Sequence, residues 1–453
     1  MKKTFHFKLS TTQAVMLSFF LAIFVGSILL ALPISSSGSE AVPYIDALFT
    51  ATTSICVTGL VTLPTATTWS TFGHIIILIL IQIGGLGIIT VLFGFMIILK
   101  RKLGLEDRIL IQDAFNLNTL SGLVKFIQKV LLGTFVVEGI GALLYMIVFI
   151  PEFGTKGIWI SIFNSVSAFC NAGIDIIGED SLCTYVFNPI INITTCLLIF
   201  LSGIGYIVWW DVLKVFKNFK KQGWKCFRYL TLHSKIALSA TGILVFAGAF
   251  LIFIFEYHNP LTMESYSLVH KLQASLFQSV TTRTAGFATI PQQNLTNASA
   301  IVSLLLMFIG GSPVGTAGGI KTVTIMVLLA SALATIRNKE DVVLFHRTIP
   351  KEAVSKAVAV TSVSFIVMFT STVLLSAVTN APALDIMYET ISATATVGLT
   401  RNLTSSLNLW GKIILVITMY LGRIGPISLL LAFNKKTGSK NIIKNPTEEI
   451  SIG

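Results

Sequence analysis

The stretch Leu48-Phe49-Thr50-Ala51-Thr52-Thr53-Ser54-Ile55-Cys56-Val57-Thr58-Gly59-Leu60 recurs three more times, aligned on its glycine. The second copy is Ile162-Phe163-Asn164-Ser165-Val166-Ser167-Ala168-Phe169-Cys170-Asn171-Ala172-Gly173-Ile174. The third is Leu276-Phe277-Gln278-Ser279-Val280-Thr281-Thr282-Arg283-Thr284-Ala285-Gly286-Phe287, and the fourth Met387-Tyr388-Glu389-Thr390-Ile391-Ser392-Ala393-Thr394-Ala395-Thr396-Val397-Gly398-Leu399. An aromatic residue stands ten places before the glycine in three copies and nine before it in the third. Between them lies a run rich in Ser, Thr and Ala. A single copy would read as a loop glycine after an amphipathic segment. Four in register are an internal repeat, and a missed repeat miscalls the fold.

The surroundings of these segments are a membrane. The chain has 453 residues, 54% hydrophobic and 11% charged, with a mean hydropathy of +0.83. A soluble domain carries about 25% charged residues, so soluble, disordered and fibrous classes are excluded. The net charge of +12 falls between apolar runs and forms no continuous basic face, which argues against nucleic acid. The basic start Met1 to Lys8 precedes an apolar run too long for a cleavable signal. Cys56, Cys170, Cys183, Cys196 and Cys226 form no CxxC or CxxH pair, and the histidines show no metal spacing.

Eight long apolar stretches lie at about 11–32, 73–99, 126–150, 188–210, 236–257, 298–336, 352–378 and 408–433, each long enough for a hydrocarbon core that needs about 20 helical residues. The four glycine segments are shorter and fall between spans one and two, three and four, five and six, and seven and eight. The expected architecture is therefore an all-α polytopic membrane protein of four span–pore-helix–span repeats with fourfold pseudosymmetry around one pore. The repeats cover 11–100, 126–212, 236–337 and 352–433, with a cytosolic tail at 434–453. With both termini inside, inner segments hold 25 Lys and Arg and outer segments five. That bias satisfies the positive-inside rule, and ten outer carboxylates would attract cations.

Non-helical backbone at membrane depth is tolerated only where protein buries it or where it lines a water-filled path. A half-helix ending in an extended Thr-Val-Gly-like strand offers a column of carbonyl oxygens, and four such strands can replace the hydration shell of a cation. The candidate ion ligands are Val57, Thr58, Gly59, Asn171, Ala172, Gly173, Thr284, Ala285, Gly286, Thr396, Val397 and Gly398. Glycine suits such a column because its carbonyl needs dihedrals that a Cβ disfavours.

These segments, with Asp46-Ala47-Leu48-Phe49-Thr50-Ala51, Ile81-Gln82-Ile83-Gly84-Gly85-Leu86-Gly87 and Gly422-Arg423-Ile424-Gly425-Pro426, resemble the Trk/Ktr/HKT superfamily of potassium transporters. The resemblance covers nearly the whole chain and is nearest to the bacterial Ktr membrane subunit (KtrB or KtrD); the extra N-terminal helices usual in the Trk branch do not precede the first repeat. Cys56 and Cys170 depart from the small or hydroxyl residues common before the filters. The resemblance implies potassium uptake across the bacterial cell membrane, with K⁺ as substrate, Na⁺ as a stimulant in question and no covalent cofactor. It implies a homodimer in contact with membrane lipids and with a cytosolic, nucleotide-binding, octameric ring of the KtrA/KtrC kind. A sodium-conducting or sodium-coupled transporter of the same architecture is the alternative. Glycine in all four filters favours K⁺ by resemblance, since relatives with serine in the first tend to conduct sodium.

The sixth span is interrupted by Gly310-Gly311-Ser312-Pro313-Val314-Gly315-Thr316-Ala317-Gly318-Gly319. Interior Gly costs about 1 kcal/mol in a helix and Pro about 3, so no helix runs through it. In the family an intramembrane loop here gates the pore, which makes these ten residues the gate candidates, together with Arg423 in span eight. Arg423 either slows cations by its charge or organises the loop through its donors. Lys321 follows the break, and Glu138 in span three reads as an interhelical bond. Arg283 is expected to point away from the axis and to bond acceptors behind the filter, with Glu389 a partner to consider. A carrier built on inverted repeats would need paired broken helices, and the sequence shows one break. An intramembrane enzyme would need a polar constellation within the spans, and none is present.

Overall fold

The computed structural model describes residues 11–38, 40–100, 104–115, 122–219 and 223–425. The expected tail at 434–453, the last part of span eight and the first ten residues lie outside the described residues.

Among the described residues four helices are each long and apolar enough to cross a bilayer: Thr12–Leu30, Leu123–Phe153, Leu232–Glu256 and Lys351–Val378. They are the outer helices of the four repeats. Large side chains such as Phe20, Leu132, Phe246 and Ile366 are exposed on them, which suits a lipid-facing wall because lipid tails carry no penalty for apolar contact.

After each outer helix a short pore helix follows: Tyr44–Cys56, Lys156–Cys170, Leu268–Thr281 and Ala383–Ala395. Proline precedes the first and the last of these, Pro43 and Pro382. Asp46 and Asp385 occupy their first turns, where the positive end of the helix dipole favours a carboxylate. Each carboxylate is paired with a base from elsewhere: Asp46 with Lys412 at 2.5 Å and Asp385 with Arg401 at 2.6 Å. The pore helices are the buried centre of the molecule; Phe49, Phe163, Phe277 and Tyr388 are almost fully enclosed, which explains the aromatic of the repeat.

The inner helices differ from the expectation of straight spans. The first runs Thr71–Leu86 and Ile88–Ile98, and the second Pro189–Gly203 and Tyr206–Phe216; each pair is bent by 97°. The sixth span divides into Asn297–Phe308 and Thr322–Ile336, and the last inner helix, Leu409–Ile424, ends at Gly425. The reading of a single break is thus corrected to a break in three inner helices. The bends sit at Gly87 (φ 83°, ψ 133°) and Gly205 (φ 89°, ψ 143°), and Gly425 has the same conformation (φ 85°, ψ 145°). A β-carbon makes that combination prohibitive for other residues. Even the close-set glycines of Gly84-Gly85-Leu86-Gly87 and Gly203-Ile204-Gly205 gave too weak a signal, because Gly is frequent in membrane helices.

Candidate functional site

Each pore helix stops at a residue forced into the left-handed region or leads straight to one. These are Val57 (φ 55°), Asn171 (φ 60°), Thr284 (φ 70°) and Thr396 (φ 53°), and two residues later Gly59, Gly173, Gly286 and Gly398 again have positive φ. Alternating signs of φ turn successive carbonyls toward one side of an extended strand. The pore helix itself holds the strand. Thr58, Ala172 and Val397 donate their N–H to the carbonyls of Thr53, Ser167 and Ser392, at 2.8 Å each, and Ala285 donates to Thr281 O at 2.9 Å. The same four residues use their hydroxyls as a second clamp. Thr53 Oγ1 accepts from Gly59 N (2.9 Å), Ser167 Oγ from Ile174 N (3.1 Å) and Ser392 Oγ from Gly398 N (3.0 Å), while Thr281 Oγ1 donates to Phe287 O (2.6 Å). Sequence reading noted only a Ser/Thr-rich run; the signal it missed is a hydroxyl five or six places before every glycine.

The four glycines form a closed ring. A Cβ built on Gly59 would lie against Ala172 O, one on Gly173 against Ala285 O, one on Gly286 against Val397 O and one on Gly398 against Thr58 O, in each case under 3.0 Å. Each strand therefore touches the next in chain order, and the fourth returns to the first. These contacts join Thr58, Gly59, Ala172, Gly173, Ala285, Gly286, Val397 and Gly398 of the twelve candidate ligands, and Val57, Asn171, Thr284 and Thr396 precede them in the same strands. On one side of the ring opens a cavity of about 300 Å³, lined by all four glycines and by Asp175, Glu179 and Asp180. Burial pushes the Asp175 carboxyl up to about 6.

The other side is covered by the 310–319 loop. Thr316 Oγ1 accepts from Asn171 Nδ2 (2.9 Å) and donates to Phe169 O (3.1 Å). Gly318 N donates to Thr284 Oγ1 (3.1 Å), and Gly318 packs against Thr396. The loop is also tied to the bend of the second inner helix: Ser312 N donates to Gly203 O (2.8 Å) and Tyr206 N to Val314 O (2.9 Å). Gly319 has φ 64°, which a residue without a Cβ adopts freely, whereas Val314 has φ 61°, a left-handed conformation that is strained for a β-branched residue.

Three cations, Arg283 buried and Lys321 and Arg423 half-buried, hold this loop by its carbonyls. Arg283 Nη2 donates to Gly310 O (3.2 Å), Lys321 Nζ to Ala317 O (2.5 Å) and Arg423 Nη1 to Thr316 O (2.8 Å), with Arg423 Nη2 reaching Gly84 O. Cations at membrane depth need such partners. Arg283 also donates to Thr241 Oγ1 (3.3 Å), so its acceptors are a loop carbonyl and a hydroxyl. Glu389 is not among them: its Oε1 takes the hydroxyls of Thr400 and Thr404, both at 2.5 Å. The suggested Arg283–Glu389 pair is replaced because the segment after the fourth filter folds back and brings Thr400 and Thr404 onto Glu389. Glu138 accepts from Gln82 Nε2 at 3.2 and 3.3 Å, bridging an outer helix to the neighbouring repeat's inner helix.

A family model described as TrkH, cation transport protein, matches residues 3–445. The chain belongs to this family of cation transport proteins. It is similar to the potassium/sodium uptake protein NtpJ of Enterococcus hirae, 39% identical over 100% of the chain and 99% of that protein. It is also similar to the Ktr system potassium uptake protein B of Bacillus subtilis, 38% identical over 97% of the chain and 96% of that protein. Among solved structures, the potassium transporter TrkH of Vibrio parahaemolyticus superposes with a TM-score of 0.75 at 16% identity, covering 95% of this chain and 86% of that one. That superposition establishes a shared helical fold, and the chain is a multi-pass membrane protein of this family.

Proposed function

We propose that the chain is the translocating subunit of a potassium uptake system and that K⁺ passes down its electrochemical gradient through the ring of four filter strands. The observation that carries this reading is the closed ring of Gly59, Gly173, Gly286 and Gly398, each preceded by a left-handed residue. Carbonyls of the Val57–Gly59, Asn171–Gly173, Thr284–Gly286 and Thr396–Gly398 strands take the place of hydration water. The C-terminal ends of four pore helices add partial negative charge toward the same point. Asp175, Glu179 and Asp180 concentrate cations at the mouth.

In this proposal Gly310 to Gly319 form the gate and Arg423, with Arg283 and Lys321, latches it. The latched loop crosses directly under the ring and brings positive charge to the path, so it both obstructs and repels K⁺. Relatives with potassium uptake in their names include members of Ktr systems, which supports partnership with other components of such a system; the proposal extends this to a homodimer in the cell membrane, termini cytoplasmic, with a separate cytosolic nucleotide-binding ring as regulator. The E. hirae relative is named for potassium and sodium together, and that observation keeps sodium as the second cation to assay. Deletion of Val314 to Gly318 tests the gate. The expected result is cation flux that no longer depends on the regulator; unchanged, regulator-dependent flux contradicts it.

A further inference from the structure

The bend at Gly205 sends the second half of the second inner helix, Tyr206–Phe216, off at 97° from the span before it. Its counterpart in the first repeat, Ile88–Ile98, is bent equally but carries no charged residue. Tyr206–Phe216 is buried at its start, where Tyr206, Val208 and Trp209 are enclosed, and only Val215 is buried near its end. The last turn exposes Leu213 and Phe216, 50% and 54% accessible, beside the exposed Lys214 and Lys217. Among the described residues neither lysine has an ion pair. The helix's one acid, Asp211, is engaged by the N–H and hydroxyl of Thr231 at 2.9 and 2.8 Å.

A third lysine joins them from the neighbouring outer helix. Lys129 Nζ stands 5.3 Å from the Trp210 ring centroid, and Gly133, one turn further on, lets that helix pack against both Trp209 and Trp210. The outer helix that carries Lys129 also exposes Leu132 and Phe135, 68% and 59% accessible, as part of the lipid-facing wall. All of this lies on the side of the membrane to which the basic residues are biased. Apolar and cationic groups mixed on the exposed end of a helix set at a right angle to a span match a segment lying in the interface of an anionic leaflet.

We infer that Lys129, Lys214 and Lys217, around Trp210, form a binding site for the headgroup of an anionic glycerophospholipid, and that this site biases the 310–319 loop. The mechanical link is short. The first residue of the interfacial helix donates to the loop, Tyr206 N to Val314 O at 2.9 Å, and the bend glycine, Gly205, packs on Pro313 O. A helix held flat against an anionic surface keeps that contact; a helix free to lift strains it. This second half of the inference rests on the loop being a gate, as proposed above, whereas the lipid site does not.

The test uses the full chain with Lys129, Lys214 and Lys217 all changed to Gln, a control with all three changed to Arg, and the unaltered protein. Phosphatidylglycerol retained through purification is measured by mass spectrometry. K⁺ flux is measured in vesicles of phosphatidylcholine alone and of phosphatidylcholine with phosphatidylglycerol. One lysine near an anionic surface is worth about fivefold in affinity, so the triple loss should weaken phosphatidylglycerol retention on the order of a hundredfold, with the Arg control restoring it. Flux of the unaltered protein should change at least about fivefold between the two vesicles, the lower end of ordinary coupling, and the Gln variant should not respond. Equal retention by the Gln variant overturns the site. Lost retention with flux that ignores the lipid in every protein overturns the link to the loop. Unchanged retention with lost capture of the regulatory ring reassigns the surface to a protein partner. Absence of K⁺ flux from the unaltered protein, with retention intact, counts against the transport proposal instead.

Discussion

Replacing Arg423 with Gln should release the loop. The guanidinium donates to Thr316 O at 2.8 Å and also to Gly84 O, joining the loop of the third repeat to the inner helix of the first. Hydrogen bonds from charged groups contribute about 1.5–3 kcal/mol each and neutral ones about 0.5–1.5. Glutamine is shorter and can restore one neutral bond at most, so the latched state loses roughly 2–5 kcal/mol. A loss of about 2 kcal/mol already shifts a two-state ratio about thirtyfold. The assay is ⁸⁶Rb⁺ uptake by reconstituted protein without its regulator, normalised to the amount of protein inserted. Regulator-independent uptake should rise at least about tenfold, and the half-saturating cation concentration should change little because no filter ligand is touched. Uptake that stays the same or falls, at equal insertion, refutes the latch.

Gly59→Ser should reduce discrimination between K⁺ and Na⁺. At φ 97° the added Cβ carries about 1–3 kcal/mol of backbone strain and meets Ala172 O, so the strands must part; unchanged K⁺ preference in competition uptake contradicts the ring as the filter. Half-saturation for K⁺ should improve as pH rises through about 6. The Asp175 carboxyl is raised to about 6, so below that pH it is neutral and above it negative, an attraction worth about threefold in a water-filled mouth. Asp175→Asn should flatten the profile, and a variant that keeps the full pH response assigns it elsewhere. Arg283→Gln should loosen selectivity and lower protein yield, since it removes the bonds to Thr241 and Gly310 behind the third strand. Raised K⁺ flux with selectivity intact would instead make Arg283 a barrier facing the pore.

Four copies of one segment made the repeat legible, because the alignment does not depend on knowing any contact. The glycines Gly59, Gly173, Gly286 and Gly398 were legible for the same reason, and their strained dihedrals supply the physical cause. The break at Gly310 to Gly319 was visible from the density of Gly and Pro alone. The bends at Gly87 and Gly205 were not, since glycines are frequent in membrane helices and only their partners show that the chain turns. Arg423 stood out as a charge within a span, but its acceptors are backbone carbonyls of distant segments, Thr316 and Gly84, and no sequence pattern marks a carbonyl. Arg283 and Glu389 are both buried among polar groups, which made them natural partners on charge alone. Local geometry decided otherwise: Thr400 and Thr404 lie on the strand that leaves the fourth filter and reach Glu389 first.

Potassium uptake in cells that lack uptake systems of their own tests the central claim most directly. The chain, expressed with a cytosolic regulatory subunit of a Ktr system, is predicted to restore growth at limiting K⁺ and to drive saturable ⁸⁶Rb⁺ uptake, and Gly398→Ser should blunt both. No uptake of any alkali cation by a chain shown to be inserted in the membrane, or uptake indifferent to the ring glycines, would contradict the account.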